Sequence, residues 1–435
     1  MLSDNLKMST ACNVLACAGT VMLIMLRDIA GVSVNRYAFV AIALLSSALM
    51  SIEDCIAYLF FLMPLFNGLP SNYMRVVLLI AILLKRGSLK FQKTAFLSCC
   101  ALCALEFTHI PSVFSVSNYV FWSISLLFVG FIANDCLVFI NEKRCILLFA
   151  ISTALAFFII FIVTYQMGYL ELVLYGRYRF GDFSDFAPAY IQSMHLTLDP
   201  NFLGLYCIVS VMAVYGLTAN RKINKGLALP IILIDLVWGI ISLSRTFLIL
   251  CVAFVIMAIY SERKNLKRFF YGVFFLTVVC AMLYIAINKF FPTAITSLQR
   301  RMNGSDMAGG NGRIELSGIY LSKFADNFKM WMIGSGGITM IENMGMPPGM
   351  NLHCTPLEII VGGGLLGTIF ATTFVCTTFN TIRKVGREGR CMSNYGKICI
   401  LIAFVYYATL PSVANTAQYY PLLMCVAVSI IDQNN

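Results

Sequence analysis

Apolar runs long enough to cross a bilayer alternate with short polar breaks along most of the chain. A hydrocarbon core of roughly 30 Å is crossed by about 20 apolar residues in a helix. Runs of this length and continuity predict helices and not barrel strands, because lipid-exposed backbone must satisfy its own hydrogen bonds. The breaks hold the basic residues: Lys85-Arg86 through Lys93, Lys143-Arg144, Arg221-Lys222 with Lys225, Arg263-Lys264 with Lys267-Arg268, and Arg383-Lys384 through Lys397. Spaced two helices apart, they form the positive-inside pattern, which sets them on the cytoplasmic side. The runs then pair as out-and-back segments: 94–109 with 118–140, 145–165 with 198–217, 227–242 with 246–260, 269–290 with 354–380, and 398–410 with 419–432. The outer loops are 110–117, 166–197, a tight turn near Arg245, 291–353 and 411–418.

The N-terminal third is less regular. Residues 37–66 read as one tilted helix or as two short ones, since Glu53-Asp54 interrupts them, and Tyr73–Leu84 is short. Ser9–Leu26 lacks a basic leader and a small-residue cleavage site, so it reads as a retained helix and not a signal peptide. The expected fold is an all-α integral membrane protein, a single polytopic domain over 1–435. It is a bundle of about 12 transmembrane helices, with one long outer loop, 291–353, carrying a short amphipathic helix.

Composition agrees with that pattern. The chain is 60% hydrophobic and 12% charged, where soluble domains carry roughly 25% charged residues. The net charge of +11 sits in the short loops and so implies no nucleic-acid partner. The 16 cysteines fall mostly inside apolar runs without zinc-ligand spacing, and read as small hydrophobes.

Candidate chemistry gathers on the outer face. The loop 291–353 holds Arg300, Arg301, Arg313, the run Gly334-Ser335-Gly336-Gly337 and a Pro347-Pro348-Gly349 turn, and ends on His353, one of 3 histidines. The 166–197 loop adds Arg177 and Arg179. Arg245, in Ser242-Leu243-Ser244-Arg245-Thr246, belongs at the outer boundary, where an ionisable residue either serves a site or snorkels to headgroup phosphates. Arg313 opens an amphipathic helix in which Leu316, Tyr320, Phe324 and Phe328 recur every four residues and Gly334 closes the pattern. Its planar fork, beside a helix N-terminus, suits a diphosphate; the alternative is a surface pair with Glu315 or Asp326.

Thr355-Pro356-Leu357-Glu358 reads as a helix start with Thr355 as the cap. His353 then hangs just before the positive end of a membrane helix, which favours a neutral imidazole able to accept a proton. A bond to loop backbone is the plainer alternative. His109 and His195 have no such context and read as structural. Asp199-Pro200-Asn201 reads as another cap and first turn. Gly362-Gly363-Gly364 and Gly367 read as close-packing positions and not a phosphate cradle. No nucleotide-binding loop or acidic metal cluster is evident.

Four patterns, in order, resemble the bacterial O-antigen ligase and polymerase superfamily. They are Arg177-Tyr178-Arg179-Phe180-Gly181 leading to Asp199-Pro200-Asn201-Phe202-Leu203-Gly204; Ser244-Arg245-Thr246; Asn311-Gly312-Arg313 with its helix and glycine run; and Asn351-Leu352-His353 through Glu358 to Gly367. They cover about residues 170–370. The resemblance implies metal- and cofactor-independent glycan transfer from undecaprenyl diphosphate to a glycan acceptor, at the periplasmic face of the bacterial inner membrane. It assigns the diphosphate to Arg245 and Arg313, with Arg179 and Arg177 as further candidates, and catalysis to His353. It also implies a chain-length regulator as a partner. Two departures stand out: Cys354 follows the histidine where relatives often have asparagine, and Arg179 lies farther from Asn201 than its counterpart usually does.

The missing His-Asn pair favours a polymerase over a ligase that would use lipid A–core as acceptor. A capsule or exopolysaccharide polymerase fits the same site. A transporter or flippase of the lipid-linked glycan would place its cations along a central cavity and need no base. A non-catalytic assembly partner would tolerate loss of His353 and both arginines.

Overall fold

The computed structural model describes residues 2–87, 91–110, 113–174, 180–181, 195–242, 244–261, 313–347 and 350–387, with scattered positions at 270–289 and 401–405. Among the described residues the secondary structure is helical, with no strand. In chain order the helices are α1 (Leu2–Asp28), α2 (Arg36–Leu49), α3 (Ile52–Leu62), α4 (Ser71–Arg86), α5 (Lys93–Phe107), α6 (Val113–Asn134), α7 (Glu142–Gln166) and the short α8 (Leu170–Leu174). There follow α9 (Pro200–Ala219), α10 (Lys225–Ile241), α11 (Arg245–Ser261), α12 (Arg313–Ala325), α13 (Phe328–Ile333), α14 (Met340–Asn343) and α15 (Thr355–Arg387). Of these, 5 are long and apolar enough to cross a membrane: α1, α6, α7, α9 and α15. The predicted crossings at 269–290, 398–410 and 419–432 fall outside the described residues apart from the scattered positions.

Local chemistry sets the boundaries. Side chains of Asn35, Ser51, Asn141, Asp199 and Asn224 each accept a backbone N–H of the helix they precede, as good N-caps do. Gly87 closes α4 in the left-handed region at φ 68. Segment 37–66 is therefore two helices, broken at Met50-Ser51 and followed by a 3-10 turn, Met63–Gly68. Glu53 and Asp54 lie in the first turn of α3, where the helix dipole favours them.

The two ends of the bundle are held by different contacts. At the basic end, Asp54 accepts from Ser9 and pairs with Arg144, and Lys85 donates to the Ser47 and Met50 carbonyls. Arg86 meets Asp135 at 3.3 Å, Lys222 meets Glu142 at 2.8 Å, and Asn134 reaches Thr378 of α15 at 3.1 Å. At the opposite end Arg27 donates to the Gly68 carbonyl at 2.6 Å, and Asp28 accepts the Leu196 N–H at 2.9 Å. His195 lies 3.4 Å from Asp28, and Gln166 donates to Ile29 at 3.2 Å. These ties alternate helix direction as the basic loops predict.

Inside a bilayer, helix contact gains little over contact with lipid tails, so close packing and polar ties carry specificity. α9, buried along nearly its whole length, is the axis, with α7, α10 and α11 around it. Ser210 of α9 donates to Asp235 of α10.

Candidate functional site

The end opposite the basic loops carries two groups of polar residues. The first forms where α9 and α11 begin. Asp199 caps α9 through the Asn201 N–H at 2.8 Å. The buried Ser244 donates to Asn201 Oδ1 at 3.4 Å and its own carbonyl accepts from Leu248. Two motifs more than forty residues apart in the chain are thus side by side, and the half-buried Arg245 is the first residue of α11. Gly181 joins them: its carbonyl accepts the Leu198 N–H at 2.9 Å. Its φ of 84 and the 2.5 Å gap between a built Cβ and the Leu198 carbonyl exclude any larger residue. Phe180 anchors the turn by stacking on Phe157, which stacks in turn on Trp238. Arg177 and Arg179 lie outside the described residues.

The second group is a small layer with its own apolar core of Tyr320, Phe324, Met340, Met344, Met346, Leu352 and Val361. It docks α12 against the segment leading to His353. Tyr320 donates to the Met350 carbonyl and Lys323 to that of Met344, both at 2.7 Å. Burial, reinforced by the Glu358 carboxylate, raises the Tyr320 phenol above its ordinary pKa, so it stays a donor at neutral pH. Arg313 is the first residue of α12. The amphipathic pattern does not run unbroken to Gly334. Asn327 accepts from Lys329 and Met330 N–H and starts a separate helix, α13, so Phe328 turns outward and is 80% exposed.

His353 is half-buried. The Cys354 carbonyl accepts the Glu358 N–H at 2.9 Å, so α15 starts one residue earlier than a Thr355 cap implies, and His353 directly precedes the capping residue. Farther along, α15 breaks at Gly364, with φ 60 and ψ −158. The carbonyls this break frees are taken up by the glycine run: Ser335 and Gly336 N–H donate to Val361 and Gly362 at 3.0 and 2.8 Å. Backbone meets backbone here. A Cβ at Gly334 would overlap the Gly362 carbonyl, and one at Gly364 would sit 2.5 Å from the Gly334 nitrogen.

The end of α5 clamps this loop. The buried Glu106 accepts the Gly337 and Ile338 N–H groups, each at 2.8 Å. His109 bridges the Leu105 and Gly334 carbonyls at 2.9 and 3.1 Å, and its own carbonyl accepts from Thr339 and Asn343. A further arginine at this end, Arg75 in the first turns of α4, is only 2% exposed. It bonds Ser71 and Ser125 at 3.0 and 3.1 Å and lies over the Phe66 ring at 4.7 Å. Neither Glu106 nor Arg75 belongs to a sequence motif. The available signal was a lone charge inside an apolar run, a functional candidate by default.

A scan of the sequence against protein-family models matched none, and a search of curated proteins found no match. Among the described residues no three His, Cys, Asp or Glu side chains converge as metal ligands would. The candidate residues are an arginine at the first position of α11 and of α12, a histidine just before α15, and a loop whose glycine backbone pairs with α15.

Proposed function

We propose that this protein is a membrane glycosyltransferase, an O-antigen polymerase that joins undecaprenyl-diphosphate-linked oligosaccharide units at the periplasmic face of the bacterial inner membrane. The observation that carries this reading is that Arg245, the Arg313 helix and His353, far apart in sequence, stand at the end of the bundle opposite the basic loops. The reading includes a bundle of about 12 helices, with the 291–353 layer covering the site and lateral openings for polyprenyl chains.

Arg245 and Arg313 hold the donor diphosphate and offset the charge that develops on it as it leaves, an electrostatic effect worth several kcal/mol when preorganised. His353 takes the proton of an acceptor sugar hydroxyl. That oxygen bonds to the anomeric carbon as the carbon–oxygen bond to the diphosphate breaks. The anomeric centre inverts and undecaprenyl diphosphate departs.

Purified protein supplied with an undecaprenyl-diphosphate-linked repeat unit, with and without lipid A–core, tests the reading. A ladder of longer lipid-linked glycans without lipid A–core, lost in His353→Ala and Arg313→Ala, is the expected result. Product formed only with lipid A–core present makes the protein a ligase. No transfer in either arm, together with movement of the lipid-linked unit between leaflets, makes it a flippase.

A further inference from the structure

At the basic end, far from the proposed transfer site, α7, α9 and α10 flank an open surface pocket of about 530 Å³. Lys143, Arg221, Lys222 and Lys225 line it, with Thr218 and Asn224 between them. One carboxylate offsets these four cations: Glu142, held by Lys222 at 2.8 Å. Among the described residues no carboxylate lies within ion-pair distance of Lys143, Arg221 or Lys225.

The turn that builds the pocket is specific. α9 ends in a Schellman motif, in which the Lys222 N–H reaches the Leu217 carbonyl at 2.9 Å and the Arg221 N–H reaches Thr218 at 3.0 Å. The left-handed position of that motif is ordinarily glycine. Here it is Arg221, at φ 58 the one described non-glycine residue with positive φ. The chain thus carries a cation at a backbone position that disfavours any side chain, and wraps Lys222 and Lys225 around the same opening.

Below the opening the surface turns apolar. Leu227 lines the pocket, and Leu227, Pro230, Ile234 and Val237 follow one face of α10 away from it, all exposed. A soluble anion has no use for such a stripe; an acyl chain does. Basic pockets between membrane helices at the positive side hold anionic lipid headgroups through the same combination. We propose that this pocket binds the phosphate headgroup of an anionic membrane phospholipid, with an acyl chain laid along α10.

Native mass spectrometry of the purified full chain with phosphatidylglycerol or phosphatidylcholine of matched chain length tests this. Wild type should retain phosphatidylglycerol preferentially, and excess inorganic phosphate should not displace it. The variant Lys143→Ala/Arg221→Gly/Lys225→Ala should lose the preference, at about fivefold in affinity per cation. Arg221→Gly also relieves the left-handed backbone, so that single variant should stay folded while its lipid preference falls. Lys7→Ala/Lys93→Ala, which removes exposed cations of the same end outside the pocket, should retain the preference. Equal retention of the two lipids, equal loss in the control variant, or displacement by inorganic phosphate would each overturn the proposal.

Discussion

At the residue scale, the proposed reaction gives His353 and Arg313 separate tasks, and Tyr320 holds the segment that leads to His353. A positioned general base typically contributes 10²–10⁴-fold, so His353→Ala should lower kcat by roughly that factor while leaving donor binding intact. Arg313→Lys keeps the charge but loses the planar fork, so KM for the lipid-linked donor should rise and kcat fall; steady-state kinetics of the two variants separate the roles. Tyr320→Phe removes the bond to Met350, at a cost of about 0.5–1.5 kcal/mol, read as a lower melting temperature in detergent. Because the folded phenol is raised, its contribution is complete below the ordinary tyrosine value of about 10. It is lost as pH rises through the higher folded value. The Tyr320→Phe difference in stability should therefore be constant at neutral pH and shrink only in strong alkali. Caps were legible at this scale: Asp199 holds the Asn201 N–H as its local sequence implies. Arg75 and Glu106 were not, since their partners Ser125 and Gly337 are remote in the chain and no local pattern points to them.

At the scale of elements, the broken α15 and the glycine run form one unit. The run supplies N–H donors that the break in α15 requires, and only glycine lets the two backbones approach this closely. Gly334→Ala should cost roughly 4 kcal/mol or more, the upper range for a single substitution, and abolish a cooperative melt. Glu106→Ala should cost about 1–3 kcal/mol for each N–H it leaves unsatisfied. The glycines' role in close packing was legible, although their partner is a loop as well as a helix. The end of the amphipathic pattern was not. Period-four spacing carries through Phe328, but Asn327 caps a new helix there, and a cap outranks spacing because it satisfies donors that a continuous helix would not expose.

At the scale of the whole molecule, the alternation of α6, α7, α9 and α15 was legible from the basic residues that flank them; that of α1 was not, since Lys7 stands at one of its ends and Arg27 at the other. The ion pairs at that end, Arg144 with Asp54, Arg86 with Asp135 and Lys222 with Glu142, tie the ends of five helices, and the hydrogen bonds of Ser9 and Lys85 add α1 and α2. At the opposite end, beside the ties made by Arg27, Asp28, Glu106 and His109, stand Arg245, Arg313 and His353. Which neighbours each of these meets depends on packing of segments far apart in the chain, and no local pattern encodes it. The central claim is that this end breaks the bond between glycan and lipid diphosphate. The most direct measurement is ³¹P NMR of purified protein supplied with an undecaprenyl-diphosphate-linked repeat unit. The account predicts release of one undecaprenyl diphosphate for each glycosidic bond formed, abolished by His353→Ala. Consumption or movement of the donor with no release of undecaprenyl diphosphate would contradict it.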